Sequence, residues 1–438
     1  MIKKFLMNKL SLQKISEYSF LFLPIALITG PFLSEICIFI ISIFAINEII
    51  KNKNYEILKS RIILGLFIFY IILILSSLLS DFKFYSLKTS LPYIRFIFFS
   101  IGALFILNSN QSLKKKYFYV LFFCFLILSI GGIYEFVFKK FCTGYVGDDI
   151  NALYRIEDNF IFCKDFLLVG NLLRADRLSS FFGDEMVLGS YLARLFPLFI
   201  FLFYSINLSK NKINYHYLFF VIIVFTIVMS GERVALFYNI LLILTVFIFA
   251  KISNKKKIVS FILLLMLASV LVNYNPILKK RIIDQTFNQI YKDDKKITFF
   301  SREHQSHAVT AINIFKDNFI IGSGPKTFRK ICPESYSQYN GCTTHPHNFY
   351  LQLLSEVGVV GTIIPLTFFL LLVFKYIHNL IFVFKSSQKK NEVVYIYLCF
   401  IITMFPIIPT GNIFNNWLSI IFYIPLPFFL NYLKMDKK

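Results

Sequence analysis

Residues 62–79 and 258–272 are almost free of charge over lengths close to what a helix needs to cross a membrane. A helix rises 1.5 Å per residue, so about 20 apolar residues span a hydrocarbon core of roughly 30 Å. Many similar runs accompany them, and only 16% of the 438 residues are charged, while 55 are Phe. Soluble domains average about 25% charged residues. The chain therefore reads as an all-α polytopic membrane protein. Its first apolar run follows a basic start, residues 1–14, and is read as a first transmembrane helix rather than a cleaved leader, because so many equivalent runs follow.

The pattern predicts about twelve spans, near 19–31, 33–50, 62–80, 91–107, 117–137, 187–206, 217–231, 234–250, 258–273, 357–374, 393–409 and 416–433. Gly30-Pro31 divides the first two into a tight hairpin. A formal charge of +22 raises nucleic acid as a partner, but the basic residues sit in short segments between apolar runs, so the bilayer is the partner and nucleic acid is not. With the N-terminus inside, the inner loops and both tails carry 24 Lys and Arg, against 3 in the short outer loops. That asymmetry is the positive-inside signal and predicts both termini in the cytoplasm.

Two long loops then face outward, 138–186 and 274–356, dividing the chain into membrane parts 1–137, 187–273 and 357–438. Cys37, Cys124 and Cys399 fall in spans and read as small buried residues. The other four lie outside, Cys142 and Cys163 in the first long loop, Cys332 and Cys342 in the second. An even number on an oxidising side suggests disulfides, and of the three connectivities pairing within each loop is the simplest.

The polar residues that an ordinary span does not need cluster where the second loop returns to the membrane, HPHNFYLQLLSEVGVVG, residues 345–361. In a helix beginning near His347, the residues Asn348, Gln352 and Glu356 form a polar strip. Gly358, eleven residues after His347, then shares its face and admits a neighbouring helix or lipid chain. A histidine titrating near pH 6.5 can take a proton from an attacking hydroxyl or hold charge beside a phosphate; a helix-capping histidine is the plain alternative. Glu232 and Arg233 occupy a very short outer turn, where charge is costly unless paired or used. The arginine fork suits phosphate oxygens, against the alternatives of a Glu–Arg pair or a snorkelling side chain.

Arg174, Arg177, Arg302, Lys326, Arg329 and Lys330 are assigned to the same side. His304 and His307 have an H-x-x-H spacing with no Glu or Cys partners to complete a zinc set. His345 either assists His347 or is a loop residue, and His216 and His378 look structural. Asp148-Asp149 and Asp293-Asp294 form no D-x-D, so no metal or other cofactor is expected. Gly322-Ser323-Gly324-Pro325 reads as a turn rather than a phosphate loop, and Ala308 to Phe315 has the apolar spacing of a short amphipathic helix.

These residues resemble the O-antigen ligase superfamily of integral membrane glycosyltransferases. HPHNFYLQLLSEVGVVG resembles its H-x10-G element, with His347 and Gly358 at the fixed positions. SGERVALF resembles its R-x3-L element at Arg233, with Phe237 in place of Leu. SREHQSHAVTAINIFKDNFIIGSGPKTF resembles the large-loop segment with Arg302 as its functional arginine, and RLSSFFGDEMVLGSYLA, from Arg177, resembles the segment entering the sixth span. The resemblance implies a GT-C-like fold with two periplasmic loops in a bacterial inner membrane. It implies metal-independent transfer of a glycan from undecaprenyl pyrophosphate to a sugar hydroxyl of lipid A–core. Arg233, Arg302 and His347 would be catalytic, and Arg177, Asn348, Glu356 and Gly358 would bind substrate. An O-antigen polymerase and a protein O-oligosaccharyltransferase of the same superfamily fit the same motifs. A lipid-linked glycan flippase is the rival from another class, although it calls for charge near the midplane, whereas here the polar chemistry gathers outside.

Overall fold

The computed structural model describes residues 11–143, 177–183, 185–206, 210–249, 254–290, 301–385 and 392–435. Its regular structure among the described residues is helical. In chain order the helices are α1 Leu12–Thr29, α2 Pro31–Lys51, α3 Arg61–Leu79, α4 Lys83–Ser90, α5 Ile94–Ser109 and α6 Ser112–Thr143. Then come α7 Leu188–Ser205, α8 Lys210–Met229, α9 Arg233–Phe249, α10 Asn254–Tyr274, α11 Pro276–Lys279 and α12 Gln285–Ile290. The last are α13 Arg302–Asp317, α14 Phe328–Ser335, α15 Phe349–Lys385, α16 Val393–Thr403, α17 Asn416–Tyr423 and α18 Pro425–Met435.

Among the described residues, eight helical stretches are long and apolar enough to cross a membrane, and the shorter apolar stretches Phe219–Met229, Arg233–Phe249 and Val393–Thr403 stand at three further expected spans. The remaining expected span is α1, whose first turn is capped by the Ser11 hydroxyl accepting from the Lys14 N–H at 3.4 Å. Gly30 joins α1 to α2 at φ 132°, a conformation open to glycine, and Pro31 starts α2 where no N–H is missed.

Several boundaries differ from the sequence pattern, and two of them shape the site. Helix α15 begins at Phe349, ahead of the expected 357, because the polar side chains of its first turns are absorbed by the large loop. Helix α16 stops at Thr403 rather than 409, because Pro406 and Pro409 cannot extend it. The short outer loop expected at residues 410–415 is therefore longer, residues 404–415.

The chain divides into two compact units: Met1–Val120 with Pro197–Ile206 and Gln289–Lys438, and Leu121–Phe196 with Asn207–Asn288. In the first, Phe20 stacks on Tyr117 at 4.8 Å and lies 5.8 Å from Phe428. There α2 and α5 approach closely: Ser42 donates to the Arg95 carbonyl at 2.9 Å, and a Cβ on Gly102 would strike the Ile41 carbonyl. Among lipid tails apolar burial drives little association, so such small-residue contacts and ring packing hold helices together. Arg95 is neutralised by Glu35 at 2.8 Å and also donates to Pro92 O and Asn416 Oδ1.

In the second unit Phe122 packs on Phe219 at 4.2 Å. Glu135 on α6 accepts the N–H groups of Ser179 and Ser180 at 3.0 and 2.7 Å, anchoring the segment that carries Arg177. Helix α10 leaves Val259, Met266 and Val270 more than 60% exposed. A face this apolar suits lipid and not water.

Candidate active site

Helix α15 begins on a polar cap. Asn348 Oδ1 accepts the N–H groups of Tyr350 and Leu351, each at 3.1 Å, and its Nδ2 donates to Pro406 O at 2.6 Å. One residue earlier, His347 has φ 55°, a left-handed conformation that costs a non-glycine residue about 1–2 kcal/mol. The 404–415 loop holds it there: Thr410 N–H donates to the His347 carbonyl at 3.0 Å, and His345 Nε2 faces Thr410 O at 3.2 Å. That carbonyl makes Nε2 the protonated nitrogen of His345, so Nδ1 accepts from the Thr344 hydroxyl at 2.9 Å.

His347 thus lies outside the helix, in the turn before it, rather than on a helical face shared with Gly358. The glycine sits at φ 65°, ψ −170° and breaks α15. What its missing side chain admits is the chain's own backbone, since a Cβ would strike the Ile320 carbonyl. Val359 and Val360 N–H groups, freed by the break, donate to Phe319 O at 3.0 Å and Ile320 O at 3.2 Å. The close approach expected of a helix or lipid is made by residues 319–324 of the loop.

Four histidines converge here. His304 and His307, one turn apart on α13, lie 5.7 and 5.2 Å from His347 between ring centres, and His345 lies 4.0 Å away. Burial first, then the neighbouring His345, His307 and His304, lower the His347 pKa to about 3. Burial likewise lowers His345 to about 4, aided by the Arg329 charge and His307. Both rings are neutral at pH 7, which leaves His347 able to accept a proton. His307 Nδ1 faces Gly341 O at 3.0 Å. With these nitrogens committed, no three His, Cys, Asp or Glu among the described residues are set to hold a metal ion. Arg302 is the first residue of α13, capped by Ser301; its side chain lies outside the described residues.

Beneath the histidines, Glu356 is wholly buried. Its carboxylate accepts from Gln352 Nε2 at 2.9 Å and from the Phe328 N–H at 3.1 Å, and the Lys326 N–H also donates to it. The expected polar strip Asn348, Gln352 and Glu356 is therefore present, and it binds the chain's own loops. Gln352 reaches to the 404–415 loop through Asn412 Oδ1 at 2.9 Å and the Ile413 N–H at 3.1 Å. A disulfide joins Cys332 on α14 to Cys342, just ahead of the histidines. Cys163 and the side chain of Cys142 lie outside the described residues.

Arg233 and Arg177 belong to the second unit. Arg233 opens α9 half-buried, Arg177 is exposed, and their charges act on one another. Glu232 is buried and accepts the Gly189 N–H at 2.7 Å at the start of α7. Burial raises its pKa to about 7 against the pull of the Arg177 charge. Arg281 donates to Gly231 O at 2.7 Å and holds the turn in place.

A membrane-embedded helical protein with four clustered histidines, His345 and His347 among them neutral, at the head of a spanning helix is the class defined by this fold and site. Residues 218–366, which contain Arg233, Arg302, His347 and Gly358, match the family model for O-antigen ligase. That family implies glycosyltransferase-like activity on lipid-linked glycans. No curated protein matches the chain.

Proposed function

We propose that the protein is an O-antigen ligase, moving a glycan from undecaprenyl pyrophosphate to a sugar hydroxyl of lipid A–core at the periplasmic face of the inner membrane. The observation that carries this reading is His347, half-buried and kept neutral by desolvation and three histidines within the family-matched segment. As base it takes the acceptor hydroxyl proton while that oxygen bonds to the anomeric carbon of the glycan. The bond from that carbon to the phosphate oxygen breaks, and undecaprenyl pyrophosphate leaves with the bonding pair. On the motif resemblance, Arg233 and Arg302 hold the pyrophosphate as its charge grows, with Arg177 as a further contact.

An apolar cavity of about 360 Å³ in the first unit supports a lipid-linked donor. Phe349 and Leu353, just past His347, line it together with Gly65, Phe69, Phe368 and Met404. We assign it to the polyprenyl chain.

The test is a lipopolysaccharide gel from cells lacking the gene, complemented with wild type or His347→Ala at equal abundance. Bare core with polymerised glycan held on the lipid carrier, restored by wild type and not by the variant, is the expected result. Core bearing a single repeat would make the protein a polymerase, an unchanged lipopolysaccharide with loss of protein glycosylation would make it a protein glycosyltransferase, and full rescue by His347→Ala would remove the histidine from the mechanism.

A further inference from the structure

Two buried hydrogen-bond donors beside the histidine cluster have no partner in the protein. One is Nδ2 of Asn412, a residue 6% exposed on the 404–415 loop; the other is Nε of Arg329 on α14. Leaving such a donor dry is costly, more so when it is charged. Rotating the Asn412 amide does not relieve it. Its Oδ1 accepts both the Phe414 N–H at 2.8 Å and Gln352 Nε2 at 2.9 Å, so a flip would set donor against donor twice. Gln352 is fixed in turn, because its Oε1 accepts the Ile413 N–H and its Nε2 also serves Glu356. The free amide hydrogens of Asn412 are therefore held in one direction by a chain of bonds that ends on a buried carboxylate.

Arg329 stands by the same group. Its charge acts on Glu356, His345 and Lys326. The Phe328 N–H bond to Glu356 sets the adjacent backbone, and the Cys332–Cys342 disulfide ties α14 to the segment preceding His345. Thr410, which fixes both His345 and the His347 carbonyl, is two residues from Asn412. Both unmet donors thus belong to the elements that hold His345 and His347.

We infer that Asn412 Nδ2 and Arg329 Nε bind phosphate oxygens of the lipid-linked donor, making them substrate-positioning residues of the transfer. The inference rests on the reading of the protein as a transferase with a polyprenyl-pyrophosphate donor. An anion with several acceptor oxygens suits a neutral amide and a guanidinium, each with hydrogens to give and no lone pair to offer. The bonds also orient the leaving group: a phosphate held by Asn412 and Arg329 is fixed to the same loops that fix His347.

Asn412→Asp and Arg329→Lys test it without dismantling the site, since the first retains the Oδ1 acceptor and the second retains the charge. Binding of polyprenyl pyrophosphate, and of the polyprenol without phosphate, is measured on the full-length purified protein in nanodiscs. The expected result is pyrophosphate affinity lowered about ten-fold or more in each variant, with polyprenol affinity and melting temperature unchanged. A variant that binds the pyrophosphate like wild type removes its residue from the site, and if both do so the two donors hold buried water and the inference is overturned. Equal losses for polyprenol and pyrophosphate would mark a structural role and overturn it too. A wild type that binds polyprenol but not its pyrophosphate would instead sink the donor assignment on which the inference rests.

Discussion

His347 is ordinary in sequence and unusual in place. Free in water its ring would be partly protonated at pH 6.5, and a base already carrying a proton cannot take another. Burial and three neighbouring rings lower its pKa to about 3, and His345 to about 4. The unfolded chain regains ordinary histidines, so between about pH 6.5 and pH 3–4 it binds more protons than the folded protein. The contribution of these two histidines to stability should then fall as pH drops through that window, while Glu232, raised to about 7, contributes in the opposite sense between about pH 4.5 and 7. A melting series from pH 7.5 to 4.5 on wild type and on the His345→Gln, His347→Gln double variant checks this: relative to the variant, wild type should lose stability steadily below about pH 6.5. Transfer should show no acid limb near pH 6.5 in wild-type protein; an activity half lost there would mean His347 titrates as an ordinary histidine. Sequence spacing points to His347, Arg233 and Glu356 because each departs from what a span requires. It leaves open whether His345 assists, and it does not reveal that His304 and His307 join His347. The H-x-x-H spacing is the visible half of that signal, but the partners lie about 40 residues away and meet only through the fold. Asn412 gives no signal, being one amide in a short outer loop.

Helix α15 shows where a one-dimensional pattern misleads. An H-x10-G spacing in a continuous helix aligns its ends on one face, but the chain enters the helix after His347 and leaves helical geometry at Gly358. Gly358→Ala should cost about 2 kcal/mol or more, since a side chain there meets both a glycine-only backbone conformation and the Ile320 carbonyl. Thermal unfolding in detergent measures it; a change near zero would mean the 319–324 contact is readily given up. Gly65 on α3 makes the opposite case: a Cβ added there would meet nothing within 4 Å, although the residue lines the apolar cavity. Gly65→Leu should leave the fold intact, helped by the roughly 1 kcal/mol preference of a helix for Leu over Gly. With the cavity partly filled, the apparent KM for a full-length polyprenyl donor should rise several-fold while a donor with a two-isoprene chain is unaffected. Equal kinetics for both donors would place the lipid elsewhere.

At the scale of the whole chain, apolar run length carries most of what can be read, because a bilayer permits few alternatives. The twelve expected spans have helical counterparts, while the fine boundaries move where polar loops take up helix ends. Which way the bundle stands in the membrane follows from charge: 24 Lys and Arg on one set of loops and tails against 3 on the other short loops. The disulfide supplies an independent constraint. Cys332–Cys342 lies in the large loop, and such bonds persist in an oxidising compartment and are reduced in the cytosol. Both lines predict the same sense, which we propose: the histidine cluster outside and both termini inside. Reporter fusions decide it: alkaline phosphatase joined after residue 340 should be active, and joined after residue 388 inactive, with a cytoplasm-dependent fluorescent reporter giving the reverse. The same insertions would expose an inverted chain by exchanging the two signals, and in that case a bond that needs oxidation would stand in the reducing compartment, so non-reducing mass spectrometry of the Cys332–Cys342 pair must agree with the fusions for this orientation to hold.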